Sequence, residues 1–381
     1  MFIRIIKKEK TALKFERCFF MFSLPHMEER TYLWYNLYGT CPIFYIRSIR
    51  MSEKNLTIRD IARLSGVSKS TVSRIISNTG YVKEATREKV ENVINELGYT
   101  PNVSAKELSL SRSDTIGIFI GDISNQYFQE ILRGAESVIS DSSFFPFICL
   151  AGTEKRQKLY IEELMKRRVA GVIFSSSFIY DEEAISALVN STKAISVQTD
   201  IKGIPNIDID NYSAAYSIGR LIAGNGHKKI GYIDSYNTIH SLSERLRGFR
   251  DALKDSGLNE DSLIYTVTDS NYLAFDAARD LLKDRSITAV QCANDHISSN
   301  VYSVINEMGL KIPDDVSLSG FDGLPLNDLI QPKLTSVKQP LYDMGQMAAK
   351  KLIELIETGE TGKEDLILDY TLIEGQSVLK K

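Results

Sequence analysis

Eight short runs rich in β-branched residues punctuate the chain from Thr115 onward: TIGIFIG, FFPFICLAG, AGVIFSSS, KAISVQTD, KIGYIDS, LIYTVTD, AVQCAND and VSLSGFD. Each is followed by a stretch of amphipathic helical period. A strand that must cross a helix-length connection before meeting its neighbour cannot close a tight hairpin. The alternation therefore specifies right-handed βαβ units and parallel sheets covered by helices on both faces. Eight units exceed one such sheet and predict two doubly wound lobes over residues 114–381. A chain of 381 residues leaves room upstream for another domain.

A different period governs residues 51–100. Thr57 and Asp60 have the spacing of a capping box, so a helix starts at Ile58 with Ile58, Ile61, Ala62 and Leu64 as its apolar face. Gly66 sits where a sharp turn needs positive φ, Val67 plugs the angle between helices, and Ser68 caps a second helix running to about Ser77. In VSKSTVSRII, Val72, Ile75 and Ile76 face inward, which turns Lys69, Ser70, Ser73 and Arg74 outward. Short hydroxyls and cations on one side of a short helix suit the major groove of DNA. Ser68, Ser70, Thr71 and Ser73 can approach phosphates and base edges, and Arg74 can take a guanine bidentately. The helix N-terminus adds attraction for phosphate. Thr57 and Asn78 complete the candidate DNA-contacting set of this pair. A third helix, in KEATREKVENVINELGY, has Val90, Val93, Ile94 and Leu97 as its core stripe and stops at Gly98. Residues 101–113 then form a hinge and linker whose helical part, through Leu108, is too short to be stable alone.

The stretch LTIRDIARLSGVSKSTVSRIISN, continued by YVKEATREKVENVINELGYTPNVSAKEL, resembles the lactose/galactose-repressor family of bacterial transcription factors. The resemblance implies a hinge helix that folds when two subunits meet on the operator, with Leu108 matching the leucine that wedges into the minor groove and Ala105 in the same element. Lys69, Ser70 and Arg74 fall at the family's major-groove-reading positions, while Glu107, an acid beside the wedge, must point away from phosphate. IDIDNYSAAYSIGRLIAGNGHKKIGYID, ERLRGFRDAL and IPDDVSLSGFD extend the likeness downstream. The implied architecture is α/β: an N-terminal three-helix helix-turn-helix domain plus a two-lobed core like periplasmic sugar-binding proteins, the chain crossing between lobes three times. Implied partners are a double-stranded DNA operator, a small-molecule effector and a second copy of the chain. The stripe Met344, Met347, Ala348, Leu352 and Leu355 either forms the family's homodimer face or fills a lobe core. No leucine heptad follows the last strand, which favours a dimer over a tetramer. LIEGQS departs from the family, which carries an arginine near the position of Gly375.

Ligands of open α/β sheets bind outside the carboxyl ends of strands. That rule selects Asn125, Tyr127 and Phe128 after the first strand, Asn294 and Asp295 at the end of AVQCAND, and Asp322 at the end of VSLSGFD. Phe128 either packs on a ligand or belongs to the core; Asn294 and Asp322 either meet ligand hydroxyls or cap helices. The family resemblance adds Arg245, matching an arginine that holds ligand hydroxyls or a carboxylate, and Tyr272, at a ligand-stacking position. A sugar or sugar phosphate is the expected effector class.

Charge is distributed in keeping with this division. Residues 1–50 carry 9 Lys and Arg against 4 Asp and Glu, residues 51–112 carry 10 against 7, and the rest carries 27 against 38. A basic N-terminal part on an acidic body fits contact with a polyanion at one end. The four histidines and four cysteines show no metal-ligand spacing, and no Ser-His-Asp pattern, phosphate-cradling glycine loop or paired catalytic acids stand out. We expect no enzymatic activity, no metal or cofactor, no membrane segment, a cytoplasmic location and buried free thiols. Residues 1–50 are aromatic-rich without a steady period and are read as an upstream extension from a mis-assigned start, Met51 opening the first real module; the alternative is an extra arm or targeting segment. The expected function is an effector-controlled transcriptional regulator, a repressor. Its rivals are a catabolite-control-like regulator with a phosphorylated carrier protein as co-effector, and a solute-binding protein without DNA function, which the N-terminal module disfavours.

Overall fold

The chain divides into two compact units, Met1–Val103 and Ser104–Lys381. The computed structural model describes residues 56–76, 80–99, 113–175, 181–235, 239–259, 263–268, 271–360, 362 and 364–381, and the backbone alone at 20–21, 32–33, 235, 264–268 and 271–273. Asn78, Ala105, Leu108 and the Tyr272 side chain, named above as candidates, lie outside the described residues.

In the first unit α1 (Ile58–Ser65), α2 (Lys69–Ile76) and α3 (Glu84–Leu97) share a small core of Ile61, Ala62, Val72, Ile75 and Val90. The capping box is formed: the Asp60 N–H donates to Thr57 Oγ1 at 3.4 Å and the Thr57 N–H to Asp60 Oδ2 at 3.0 Å. Gly66 turns the chain with φ 65°. Two expected core residues are instead solvent-facing, Leu64 at 51% exposure and Leu97 at 41%. Ser65 takes the inward position beside Leu64, because its hydroxyl is satisfied by donating to the Ile61 carbonyl at 2.6 Å. Beyond α3, Tyr99 packs on the core where Leu97 was expected.

The second unit has two parallel sheets. In lobe 1, β1 (Thr115–Ile120), β2 (Phe145–Leu150), β3 (Gly171–Ser175), β4 (Lys193–Val197), β5 (Asn206–Ile209) and β11 (Leu366–Leu368) lie in the order β11-β5-β4-β3-β1-β2. In lobe 2, β6 (Ile230–Ser235), β7 (Leu263–Thr268), β8 (Ala289–Cys292) and β9 (Ser317–Ser319) lie in the order β9-β8-β6-β7. All described neighbours in both sheets are parallel, as the alternation predicts. The helices α4 (Gln126–Ile139), α5 (Glu154–Arg167), α6 (Glu182–Ser191), α7 (Asn211–Gly224), α8 (His240–Asp255), α9 (Asn271–Leu281) and α10 (Asp295–Glu307) make the connections.

Lobe 1 gives way to lobe 2 between β5 and α7. The chain returns through β10 (Ser336–Lys338) into α11 (Leu341–Thr358) and β11, then crosses a third time through β12 (Thr371–Ile373), antiparallel to β10. Ser377 anchors the end of this path in lobe 2, accepting from the Thr335 N–H at 2.8 Å and donating to the Leu318 carbonyl at 2.6 Å. At Gly375, where the resemblance leads to an expected arginine, a Cβ would stand 2.1 Å from the Lys333 carbonyl oxygen, so the returning chain packs too closely here for any side chain.

The α11 stripe is lobe core, not a subunit face. Met344, Ala348, Leu352 and Leu355 are buried and only Met347 is partly exposed, because α11 lies across the lobe 1 sheet and against α4. The α4–α11 crossing is close enough that a Cβ on Gly345 would lie 2.0 Å from the Ile131 carbonyl oxygen. Apolar surface remains elsewhere in lobe 1, on edge strand β2, where Phe145 is 69% and Ile148 42% exposed.

Candidate functional site

On α2, Val72 and Ile75 point into the three-helix core and fix the rotation of the helix, so Ser68, Lys69, Ser70 and Arg74 face solvent and Thr71 and Ser73 are half-buried. Ser68 is the helix cap: its Oγ accepts from the Thr71 N–H at 3.1 Å and lies 2.8 Å from the hydroxyls of both Ser70 and Thr71. Lys69 and Arg74 form no ion pair among the described residues, which leaves two cations presented on a rigid helix whose N-terminal hydroxyls already hold one another.

In the second unit, strand ends from both lobes meet in one hydrogen-bonded chain. Tyr127, in the first turn of α4, donates its hydroxyl to Gln198 Oε1 at 2.6 Å. The Gln198 amide donates to Gln339, and Gln339 Nε2 donates to Asp322 Oδ1 at 2.7 Å. Asp322 also accepts from Arg245 Nη1 at 3.2 Å. Arg245 gives Nε to Asn211 Oδ1 at 2.9 Å and Nη1 to the Ala293 carbonyl at 2.9 Å, and Asn211 Nδ2 reaches Asp208 Oδ1 at 2.8 Å. The path therefore runs from lobe 1 through the β10 crossing into lobe 2 and back to β5. Arg245 is 3% exposed and stacks 3.8 Å over the Phe321 ring. Two links sit in a backbone region that L residues rarely adopt, Gln198 at φ 51° and Asp322 at φ 113°. Strain of this kind persists where the surroundings fix it.

The carboxylates are unusual. Burial, reinforced by the charge of Asp322, pushes Asp295 up to about 7; burial outweighs the Arg245 ion pair and pushes Asp322 up to about 6. Burial, with Asp322 nearby, raises Tyr127 well above the usual phenol range. Asp295 is anchored within the protein, accepting from the Leu324 N–H at 2.8 Å, Asn327 Nδ2 at 2.7 Å and Ser336 Oγ at 2.9 Å.

The structure thus sorts the sequence candidates. Arg245, Asp322 and Tyr127 are brought together by Gln339 and Gln198, and Asp295 stands behind Asp322 as a bracing group. Asn125 and Asn294 are helix caps, their oxygens accepting from the Tyr127 N–H at 3.0 Å and the Ile297 N–H at 2.8 Å. Phe128 is buried in the lobe core, its ring in edge contact with Tyr127 at 5.0 Å between centroids. Sequence reading missed Gln198, Gln339, Asn211 and Asp208. Gln198 directly follows β4 and Asn211 lies two residues after β5, so the same strand-end rule could have found them, whereas Gln339 follows a crossing strand outside both parallel sheets.

The family described as bacterial regulatory proteins, lacI family, matches residues 57–102, and the periplasmic binding protein-like domain matches residues 220–378. The transcriptional regulator RegA of Clostridium saccharobutylicum is 33% identical over 331 residues, spanning 85% of this chain and 99% of its own. The chain belongs to the LacI family. GalR of Escherichia coli K12, another transcriptional regulator of the helix-turn-helix type, is 30% identical over 327 residues, 84% of this chain and 95% of its own. A LacI-family regulator of Enterococcus faecium solved with bound ribose aligns at TM-score 0.66 and 28% identity, over 70% of this chain and 99% of that one. The Lac repressor dimer bound to operator shares the fold at TM-score 0.74 and 24% identity, over 86% of this chain and all of that one. As a LacI-family member this is a DNA-binding transcriptional regulator under effector control, and its matched relatives are regulators, not enzymes. Among the described residues no helix is long and apolar enough to cross a membrane.

Proposed function

We propose that the protein is a cytoplasmic repressor that binds a near-palindromic double-stranded DNA operator as a homodimer, and that a sugar or sugar phosphate in the interlobe cleft sets its operator affinity. The carrying observation is the Tyr127–Gln198–Gln339–Asp322–Arg245–Asn211–Asp208 chain, which ties both lobes together at the carboxyl ends of their strands. A ligand that inserts into this chain binds one arrangement of the lobes better than another, and differential binding is what shifts an equilibrium. Lys69 and Arg74 are the operator-reading cations, with Ser70 and Ser73 beside them. Asn78, Ala105 and Leu108 are assigned to DNA, and Tyr272 to the effector, on the family resemblance. The exposed apolar residues of β2, with Ile123 and Leu132 beside them around a cavity of about 360 Å³, supply a self-association surface.

The test is operator binding with and without sugars for the wild type and Asp322→Ala. The variant should keep its salt-sensitive operator affinity and lose its response to effector. Loss of operator affinity with effector affinity unchanged refutes the assignment of the cleft.

A further inference from the structure

We infer that Gln126 and the turn Leu324–Asn327 form a latch that holds the two lobes together, with Asp295 as its brace. The hydrogen-bonded chain described above passes from lobe to lobe through Gln339, which sits on a crossing segment. Rotation of the lobes about their crossings displaces such a residue least. Gln126, the first residue of α4 in lobe 1, is placed differently: its Oε1 accepts from the Leu326 N–H of lobe 2 at 2.9 Å. No crossing segment carries this bond, so it must break whenever the lobes part.

The donor side is held stiffly. Leu326 lies in the short 3-10 helix Pro325–Leu329, whose first residue is a proline and brings no N–H of its own. Asp295, buried at the start of α10, accepts on one carboxylate oxygen from the Leu324 N–H at 2.8 Å and from Asn327 Nδ2 at 2.7 Å, the residues on either side of the Pro325–Leu326 pair. Its other oxygen accepts from Ser336 Oγ of β10 at 2.9 Å, so the turn is pinned both to lobe 2 and to a crossing strand. Close approaches remove the remaining slack: a Cβ on Gly320 would stand 2.2 Å from Asp295 Oδ1, and one on Gly323 2.5 Å from Lys338 Cα. Asn327 Oδ1 has no hydrogen-bond partner among the described residues, which leaves the bond to Asp295 as the polar contact that holds this side chain. A donor fixed in this way meets a half-buried acceptor on the opposite lobe.

Distances between paramagnetic probes attached through Lys158→Cys on α5 and Lys283→Cys beyond α9 test this in the full chain carrying Cys18→Ser and Cys41→Ser, since Cys149 and Cys292 are buried. Without any ligand, Gln126→Leu should shift the ratio of closed to open lobes about fivefold toward open, the worth of one net hydrogen bond. Gln126→Glu should hold the ratio, because a carboxylate accepts the same N–H and suits a helix N-terminus. The pair separates bonding from packing, since leucine keeps the bulk and glutamate keeps the acceptor. Asn327→Ala, which removes one brace, should shift the ratio the same way by a smaller factor. An unchanged ratio in Gln126→Leu, or an equal shift in Gln126→Glu, overturns the latch. The latch acts on the lobe equilibrium that the effector reading above invokes, yet the probe distances need no effector. If the variants behave as expected while no sugar or sugar phosphate alters the distances, the latch stands and the effector reading falls.

Discussion

The α2 surface and the interlobe hydrogen-bonded chain each hold an arginine, but in opposite states. Arg74 is exposed and, among the described residues, outside any ion pair; Arg245 is buried and carries an acid, an amide and a carbonyl. The difference follows from solvent. A cation in water is satisfied by water and can wait for a polyanion, releasing counterions when it arrives. A buried guanidinium cannot wait, because unpaired burial of charge is far too costly. On the proposed function, DNA would add contacts to α2, whereas an effector would have to break into bonds that already exist.

The sharpest way to break this contrast is Arg245→Ala. Removing one partner of a buried pair leaves Asp322 stranded, so the second unit should lose about 3–5 kcal/mol of stability in denaturant unfolding, together with its effector response. A loss below ~1 kcal/mol would show that Arg245 is not committed as described. The matching change on α2, Arg74→Ala, should leave the melting temperature unchanged and lower specific over non-specific operator binding by about 1–3 kcal/mol, measured by competition at fixed salt.

The same contrast explains what the sequence disclosed. The head was legible to single residues because its logic is local: Thr57–Asp60, Gly66 and Ser68 act within three or four positions of each other. The parallel lobes were legible from alternation. The cleft was only half legible, since Tyr127, Gln198, Asp322 and Gln339 are far apart in sequence and topology alone brings them together. Strand ends also need polar residues for two purposes. Asn125 and Asn294 cap helices while Asp322 joins the interlobe hydrogen-bonded chain, and residue type cannot separate these uses. The α11 stripe left two readings open for a similar reason, since an apolar helix face reads alike whether a sheet or a second subunit covers it.

Commitment of the cleft also gives the second unit a pH signature. Asp295 and Asp322 hold protons to about 7 and about 6 when folded, against roughly 4 unfolded, so the folded state binds more protons in that window. Stability then falls as pH rises through the folded values, by at most about 1.4 kcal/mol per pH unit for each proton. His227 works in the other direction. Burial lowers its pKa from 6.5, so it destabilises only on acidification below that value, and above about pH 6.5 the remaining fall belongs to the buried carboxylates, Asp295 foremost. Asp295→Asn should flatten the slope of stability against pH in that range; an unchanged slope would place the proton elsewhere.

The smallest expected effect probes the weak point of the contrast, because not every polar group on α2 is waiting for DNA. Ser68 Oγ caps the helix through the Thr71 N–H and sits 2.8 Å from the Ser70 and Thr71 hydroxyls, so this corner is already satisfied within itself. Ser68→Ala should cost the head about 1 kcal/mol, the usual loss for a cap, whereas Ser70→Ala, which removes no backbone partner, should cost well under half of that. Operator affinity should follow stability for Ser68 and fall without a stability change for Ser70. Should Ser68→Ala weaken operator binding while the head melts as before, the hydroxyl serves the groove and not the helix, and the head would be uncommitted along its whole exposed face.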